Sequence, residues 1–262
     1  MEFHTILFNV QDSVAHITLN RPDSANSINL ELAKELAKAI MRCDEDPTIR
    51  AVLLTGSGQM FCAGGDVKSF AAQGEGMPYY LKEVTAHLHL AISYLVRMDP
   101  PIIAAVHGSA AGAGMSLACA CDFVFVAESA RFTMGYTRIG LTPDGASTYF
   151  LPRLVGLKRS LNLILTNRIL SAREALDWGI ATQVVPDKDL LSEARLFASK
   201  FAVGPTEAFG AAKRLLQTGL TESLEAQMKH ESHSISEMAR TKDGREGVTA
   251  FLEKRSPQFR RE

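Results

Sequence analysis

The chain has 262 residues, of which 46% are apolar and 22% charged, and its formal net charge is −1. This balance is typical of a globular protein with a full core, and it excludes a strongly basic surface for nucleic acid or an anionic membrane. No apolar run approaches the length of a membrane span, and no basic segment followed by an apolar one is evident at the start. The four cysteines form no CxxC or disulfide pattern. We therefore expect a cytoplasmic protein without nucleic-acid or membrane partners.

Strands and helices are predicted to alternate in the first part of the chain. An alternating segment at 14–19 and apolar runs at 51–55, 102–106 and 123–127 predict strands; helices are predicted at 30–43 and 79–98 and up to about Cys121. Asn29 is a candidate helix cap, and three turn-forming residues in segment 70–78 indicate a mobile segment. Helices that alternate with buried strands favour an α/β fold with a largely parallel sheet.

The end of the chain differs, because strand patterns stop at Pro186. Four helical segments follow, at 187–201, 205–217, 221–238 and 243–255. We therefore predict an α/β core over residues 1–185 and a helical C-terminal region over residues 186–262.

Two glycine-rich corners carry the first chemical signal. Phe61 to Asp66 (FCAGGD) follows one buried strand, and Gly108 to Gly114 (GSAAGAG) follows the next. Small residues allow a ligand to approach the backbone, and a helix start leaves N–H groups unpaired. One such donor from each corner would form an oxyanion hole. The alternative is that each corner is only a tight strand-to-helix turn; neither matches a nucleotide-binding fingerprint or P-loop.

These blocks, together with FTMGYTRIGLTPDGASTYFLPRLVG and REGVTAFLEKRSPQF, resemble the crotonase (enoyl-CoA hydratase/isomerase) superfamily from about residue 5 to residue 260. The resemblance implies a crotonase/ClpP-like spiral of ββα turns with a helical trimerisation region, assembled as a homotrimer or a dimer of trimers. It implies an acyl-CoA thioester as substrate, with coenzyme A as part of it and no tightly bound cofactor. The implied oxyanion donors are the amides of Gly65 and Ala113. Ala63, Asp66 and Lys68 are implied to contact the adenosine part of coenzyme A, and Gly64 is a further implied substrate-binding residue.

The reaction depends on which acidic residues remain. Ser116 and Tyr136 align with the two glutamates of family hydratases, and neither supplies a carboxylate. Asp144 resembles the aspartate of enoyl-CoA isomerases of the phenylacetate-pathway type, where one carboxylate moves a proton between two carbons. The alternatives for these residues are that Asp144 caps a helix after Pro143 and that Ser116 is helix packing rather than a residue facing the acyl group.

Other functions stay open. Asp144, Tyr136 and His89 also resemble residues of 4-chlorobenzoyl-CoA dehalogenases, although Tyr136 stands where those enzymes have a tryptophan and Trp178 falls outside the expected pocket. A hydratase, or a crotonase-fold protein that binds acyl-CoA without catalysis, are the further alternatives. The histidines have no carboxylate spacing that indicates a metal, and the sequence around Ser116 is not a GxSxG nucleophile elbow.

Overall fold

The computed structural model describes residues 3–261. The strands in this range are β1 (Ile6–Gln11), β2 (Val14–Leu19), β3 (Ala51–Gly56), β4 (Ile102–Val106), β5 (Ser109–Ala111), β6 (Phe123–Ala127), β7 (Arg131–Thr133), β8 (Leu170–Ser171) and β9 (Gln183–Val185). The α-helices are α1 (Leu30–Glu45), α2 (Val67–Ala71), α3 (Met77–Arg97), α4 (Ala113–Ala120), α5 (Ser147–Val155), α6 (Leu157–Thr166), α7 (Ala172–Asp177), α8 (Leu190–Ala202), α9 (Thr206–Thr218), α10 (Leu224–Arg240) and α11 (Lys242–Leu252).

Two sheets form the centre of the fold. The larger has the order β1-β2-β3-β4-β6-β9, and the smaller has the order β5-β7-β8. In the larger sheet β1 and β2 form an antiparallel hairpin, and every other neighbouring pair is parallel. The expected α/β fold with a largely parallel sheet is therefore confirmed.

The burial of each strand explains whether its sequence is continuously apolar or alternating. All five residues of β4 are buried, because helices cover this part of the sheet, with α8 packing against β3, β4 and β6. In β2, by contrast, Ala15, Ile17 and Leu19 are fully buried while His16 and Thr18 remain partly exposed. Alternate residues of a strand lie on opposite faces of the sheet, so β2 has one face in the core and one polar face.

The structure departs from the expected elements in places. β1 was not anticipated, and β5, β7, β8 and β9 are two or three residues long, too short to show a periodicity. Segment 70–78 is not a simple loop, since it includes the end of α2, a turn of 3₁₀ helix at Gly74–Gly76 and the start of α3. Asn29 caps α1 as expected, accepting a hydrogen bond from the amide of Leu32 at 2.9 Å.

The C-terminal part is helical after β9, in agreement with the sequence pattern. The first of its helices, α8, nevertheless packs on the larger sheet, so the division at residue 185 separates a helix from the layer it covers. That division stays a prediction. None of the helices within residues 3–261 is long and apolar enough to cross a membrane.

Candidate active site

Short backbone contacts join the two glycine-rich corners. The amide of Cys62 donates to the carbonyl of Ser109 at 3.1 Å, and the amide of Ala111 donates back to the carbonyl of Cys62 at 2.9 Å. Gly64 has φ +100°, and a Cβ on it would lie 2.8 Å from the carbonyl oxygen of Ala111. Only glycine tolerates both the conformation and the contact. The corners are thus a single structural unit.

The amides of Gly65 and Ala113 have the properties of oxyanion donors. Neither donates a backbone hydrogen bond within the described part of the chain, and both residues line the same cavity. Ala113 is also the first residue of α4, so the positive end of the helix dipole adds to its amide. Gly112, immediately before it, has φ 49° and ψ −122°, a backbone conformation that glycine adopts and other residues avoid.

A cavity of about 370 Å³ lies in front of these amides. Its apolar wall comes largely from α3 and from the segment that ends at Asp144, which supplies the only carboxylate among the described lining residues. The lining residues are Ile28, Ala63, Gly64, Gly65, Val67, Phe70, Leu81, Val84, Thr85, Leu88, Ala111, Gly112, Ala113, Met134, Gly135, Tyr136, Ile139, Leu141, Thr142, Pro143 and Asp144.

Asp144 is held by both its side chain and its backbone. Its Oδ1 lies 2.7 Å from Nε2 of His89, and its carbonyl oxygen accepts from Ser116 Oγ at 2.9 Å and from the Tyr136 hydroxyl at 3.3 Å. The alternative that Asp144 caps a helix is wrong, because α5 begins at Ser147 and has no side-chain cap. The carboxylate instead borders the cavity with its side chain 27% exposed.

Ser116 and Tyr136 stand where a hydratase would have carboxylates. Burial raises the pKa of the Tyr136 phenol well above its ordinary value, so the hydroxyl stays protonated and acts as a hydrogen-bond donor. Ser116 is fully buried and is not among the residues that line the cavity. The expectation that Ser116 faces the acyl group is corrected: its hydroxyl lies behind the wall and fixes the backbone of Asp144.

Asp66 and Lys68 also lie outside the lining. The Asp66 carboxylate accepts from Arg21 Nη2 at 2.9 Å and from the amide of Ser69 at 3.2 Å, which caps α2. Burial opposes its ionisation, but hydrogen bonds from Ser69 and Arg21 outweigh burial and lower the pKa of Asp66. The expected contact of this residue with the adenosine part of coenzyme A stays a prediction. Lys68 is exposed in the first turn of α2.

His89 reaches Asp144 from the far side of the cavity wall. It lines a second cavity of about 380 Å³, together with Ile92, Tyr149 and Phe150 among others. The contact between His89 and Asp144 therefore lies at the boundary of two cavities. Trp178 lines neither and packs instead under the guanidinium groups of Arg159 and Arg168.

Some residues of the site were not anticipated. Ile28 and Phe70 line the cavity, and Arg21 holds the loop before α2 through Ser27 and Asp66. Lone apolar residues and a lone arginine carry no periodic or motif signal that would have identified them. Within residues 3–261 no group of three or more histidine, cysteine or acidic side chains is arranged to hold a metal ion.

Comparison with known proteins gives consistent matches over the full length. A family model described as enoyl-CoA hydratase/isomerase matches residues 9–262. A probable enoyl-CoA hydratase of Rhodobacter capsulatus is 41% identical over 259 residues, covering 99% of both chains. A 1,2-epoxyphenylacetyl-CoA isomerase of Escherichia coli is 40% identical over 260 residues, covering 99% of this chain and 98% of the other.

Two further matches bear on the dehalogenase alternative and on the fold. A 4-chlorobenzoyl coenzyme A dehalogenase of an Arthrobacter species is 32% identical over 233 residues, covering 88% of this chain and 84% of that protein. The crystal structure of a putative enoyl-CoA hydratase from Streptomyces coelicolor superposes with a TM-score of 0.94 at 31% identity, covering 100% of this chain and 96% of that one.

Proposed function

The chain belongs to the enoyl-CoA hydratase/isomerase family, and from this premise we propose that it isomerises an enoyl-CoA thioester, with Asp144 as the single acid–base group. Enzymes of this family act on CoA thioesters and stabilise the enolate, which requires donors at the thioester oxygen. The observation that carries the proposal is the arrangement of the cavity within residues 3–261: Asp144 is its one carboxylate, and the amides of Gly65 and Ala113 on its wall donate no backbone hydrogen bond.

The proposed reaction moves one proton along the acyl chain. With a 3-enoyl thioester, the Asp144 carboxylate removes a proton from C2, and the electron pair passes through the carbonyl carbon to the thioester oxygen. The amides of Gly65 and Ala113 donate to that oxygen while it is negative. The protonated Asp144 then returns the proton to C4, and the double bond ends between C2 and C3. No water is consumed, and one carboxylate is sufficient.

The comparisons support a hydratase and an isomerase equally, and our preference for isomerisation rests on the side chains of the site. Adding water requires a base for the water and an acid for the α-carbon. The Ser116 hydroxyl lies behind the cavity wall, and Tyr136 is kept protonated because burial raises its pKa. Asp144 would have to do both tasks alone.

The direct experiment uses two chain-matched substrates in deuterated water. We expect 3-hexenoyl-CoA to become 2-hexenoyl-CoA with deuterium at C2 or C4, measured by mass spectrometry, and 2-hexenoyl-CoA to exchange C4 hydrogens without gaining the mass of water. Formation of a 3-hydroxyacyl product from 2-hexenoyl-CoA at a faster rate than exchange would establish the hydratase alternative. Thioester binding with neither reaction would favour a non-catalytic role.

A second candidate function is hydrolytic dehalogenation, favoured by the contact of His89 with Asp144. Asp144 would attack an aryl carbon and displace chloride, and His89 would activate the water that releases the aryl group from the carboxylate. The position of Trp178 outside both cavities is unfavourable for it. The test is to incubate the protein with 4-chlorobenzoyl-CoA and to measure released chloride. If no chloride is released, the dehalogenase function is excluded.

We further propose that the enzyme assembles as a homotrimer or dimer of trimers through its C-terminal helices. Large apolar side chains that are more than half exposed occur on α9, α10 and α11, including Leu216, Ile235 and Phe251. Exposed apolar side chains in such number are typical of an interface. Light scattering of the purified protein tests this, and a monomer at micromolar concentration contradicts it.

A further inference from the structure

A third cavity, larger than the two at Asp144 and His89, lies beside the main sheet. It has a volume of about 840 Å³ and lies between the β1–β2–β3 part of the sheet and helix α8. We call it the sheet groove. Its lining residues are Leu7, Phe8, Asn9, Gln11, Asp12, Val14, His16, Thr18, Leu53, Thr55, Gly56, Leu191, Ser192, Arg195, Leu196 and Ser199. It shares no residue with the cavity at Asp144.

The floor of the sheet groove follows from strand register. Asn9 pairs with His16 and His16 with Leu53, while Leu7 pairs with Thr18 and Thr18 with Thr55. These two rows lie on one face, because paired residues of neighbouring strands point to the same side of a sheet. This face contains the partly exposed half of β2, and α8 covers it only in part.

The polar groups of the floor have unused hydrogen-bonding capacity. The hydroxyls of Thr18 and Thr55 lie 2.9 Å apart, so one donates to the other and the second keeps its proton for another acceptor. Neither ring nitrogen of His16 has a hydrogen-bond partner within residues 3–261, and the Arg195 guanidinium has no carboxylate within 4 Å there.

The charges around His16 favour an anion. Burial, and then the positive charge of Arg195, lower the pKa of His16, so the imidazole is neutral near pH 7 and offers one N–H donor. The other polar side chains on the floor near His16 are the uncharged Asn9 and Gln11; the acidic Asp12 lies at the hairpin turn, four residues along the chain from His16.

Apolar groups complete the sheet groove. Leu7, Leu191 and Leu196 are 55%, 45% and 58% exposed, and all three line it together with the floor residue Leu53. Large exposed apolar side chains that gather beside polar donors are typical of a ligand site. A simple inorganic ion would leave these side chains in water, whereas an organic anion would cover them.

We propose that the sheet groove binds a small organic anion, whose carboxylate lies between Arg195 and His16 and whose apolar part lies on Leu7, Leu191 and Leu196. A guanidinium binds a carboxylate with two parallel hydrogen bonds, and the imidazole N–H adds a third. Because no residue is shared with the catalytic cavity, this site is separate from the proposed isomerase activity.

The test measures accessibility of His16 with octanoate as the probe. Diethyl pyrocarbonate modifies neutral imidazoles, and peptide mass spectrometry reads each histidine separately, so the exposed His4, which does not line the sheet groove, is an internal control. We expect saturating octanoate to slow modification of His16 at least tenfold. Arg195→Gln should raise the octanoate concentration required at least tenfold, whereas the matched surface variant Arg173→Gln should not.

Two further ligands test whether protection of His16 requires both a negative charge and an apolar chain. Octylamine, which has the same chain with a positive head group, should give no protection, and inorganic phosphate at the same concentration should give little. Equal protection by octylamine or by phosphate, no saturable protection by octanoate, or unchanged protection in Arg195→Gln would each overturn the proposal. Should Arg195→Gln fail to fold, as judged by circular dichroism, Arg195→Lys replaces it, with weaker octanoate protection expected.

Discussion

His89 and Asp144 are joined by a 2.7 Å contact between Nε2 and Oδ1, although they lie 55 residues apart in the chain. His89 belongs to α3, and Asp144 belongs to the segment before α5. The contact fixes one carboxylate oxygen, and the side-chain hydroxyls of Ser116 and Tyr136, which donate to the Asp144 carbonyl, fix the main chain of the same residue. The carboxylate that borders the cavity in front of the Gly65 and Ala113 amides is therefore positioned from two sides.

The first prediction concerns the charge of this carboxylate. Asp144→Asn keeps the shape of the side chain but removes the base, and we expect the rate of proton exchange to fall by about 100-fold or more, the usual worth of a general base. Thioester affinity should stay within a few-fold, because the two amides are unchanged. Asp177→Asn, at a surface ion pair with Arg173, is the control. Exchange within tenfold of wild type in Asp144→Asn would remove this residue from the mechanism.

The second prediction concerns the oxyanion corner. Gly112→Ala leaves room for the methyl group, with the nearest atom 3.5 Å away, but alanine avoids the φ 49°, ψ −122° conformation. The strain should turn the Ala113 amide away from the thioester oxygen. Loss of one such donor typically costs about 10²–10³ in kcat, and we expect a decrease of that order with a small change in KM.

Gly140→Ala is the matched control for that variant. Gly140 also has a positive φ, of 72°, with no atom within 4 Å of the added methyl group, and it does not line the cavity. Strain should cost about 1–2 kcal/mol of stability in the left-handed Gly140→Ala variant and about 1–3 kcal/mol in Gly112→Ala, but only Gly112→Ala should lose catalysis. Equal kcat values in the two would contradict the role given to the Ala113 amide.

The sequence was sufficient to predict those strands and turns of this molecule that depend on a local residue pattern. β4 and β6 are continuous apolar runs because both faces of the sheet are covered there, and the two corners are marked by their glycines. The resemblance then identified Asp144. The contact with His89 depends on how α3 packs against a distant loop, and the burial of Ser116 depends on the close approach of Gly145, whose added Cβ would lie 2.9 Å from that of Ser116. No periodicity encodes either contact.

The third prediction uses the ionisation of Tyr136. Since burial raises the pKa of its phenol, the folded protein keeps this proton when an unfolded tyrosine has lost it. Its contribution to stability is therefore complete below about pH 10, the ordinary pKa, and is lost as the pH rises toward the folded-state pKa. Absorbance at 295 nm should show the same tyrosinate signal between pH 9 and 11 in Tyr136→Phe as in wild type. A smaller signal in the variant would show that Tyr136 ionises normally.

Tyr136→Phe also tests the hydrogen bond to the carbonyl of Asp144. Loss of one neutral hydrogen bond costs about 1 kcal/mol, and we expect kcat to fall less than tenfold with KM nearly unchanged. Ser116→Ala should cause a similar decrease in kcat, because the Ser116 hydroxyl donates to the same carbonyl oxygen. Tyr79→Phe, at a side chain that is 73% exposed, should change neither parameter. A rise in KM without a change in kcat would instead place Tyr136 in substrate binding.

The last prediction concerns Asp66, whose carboxylate caps α2 and pairs with Arg21. The hydrogen bonds that lower its pKa outweigh the opposing effect of burial, so its contribution to stability is present above the unfolded-state pKa and is lost as the pH falls through the lower folded-state value. Asp66→Asn should therefore lower the melting temperature at pH 7, with a loss of about 1–2 kcal/mol for the weakened cap and ion pair. The difference from wild type should shrink below about pH 4, while thioester affinity at pH 7 changes only a few-fold. A large loss of thioester affinity without loss of stability would instead assign this carboxylate to coenzyme A binding.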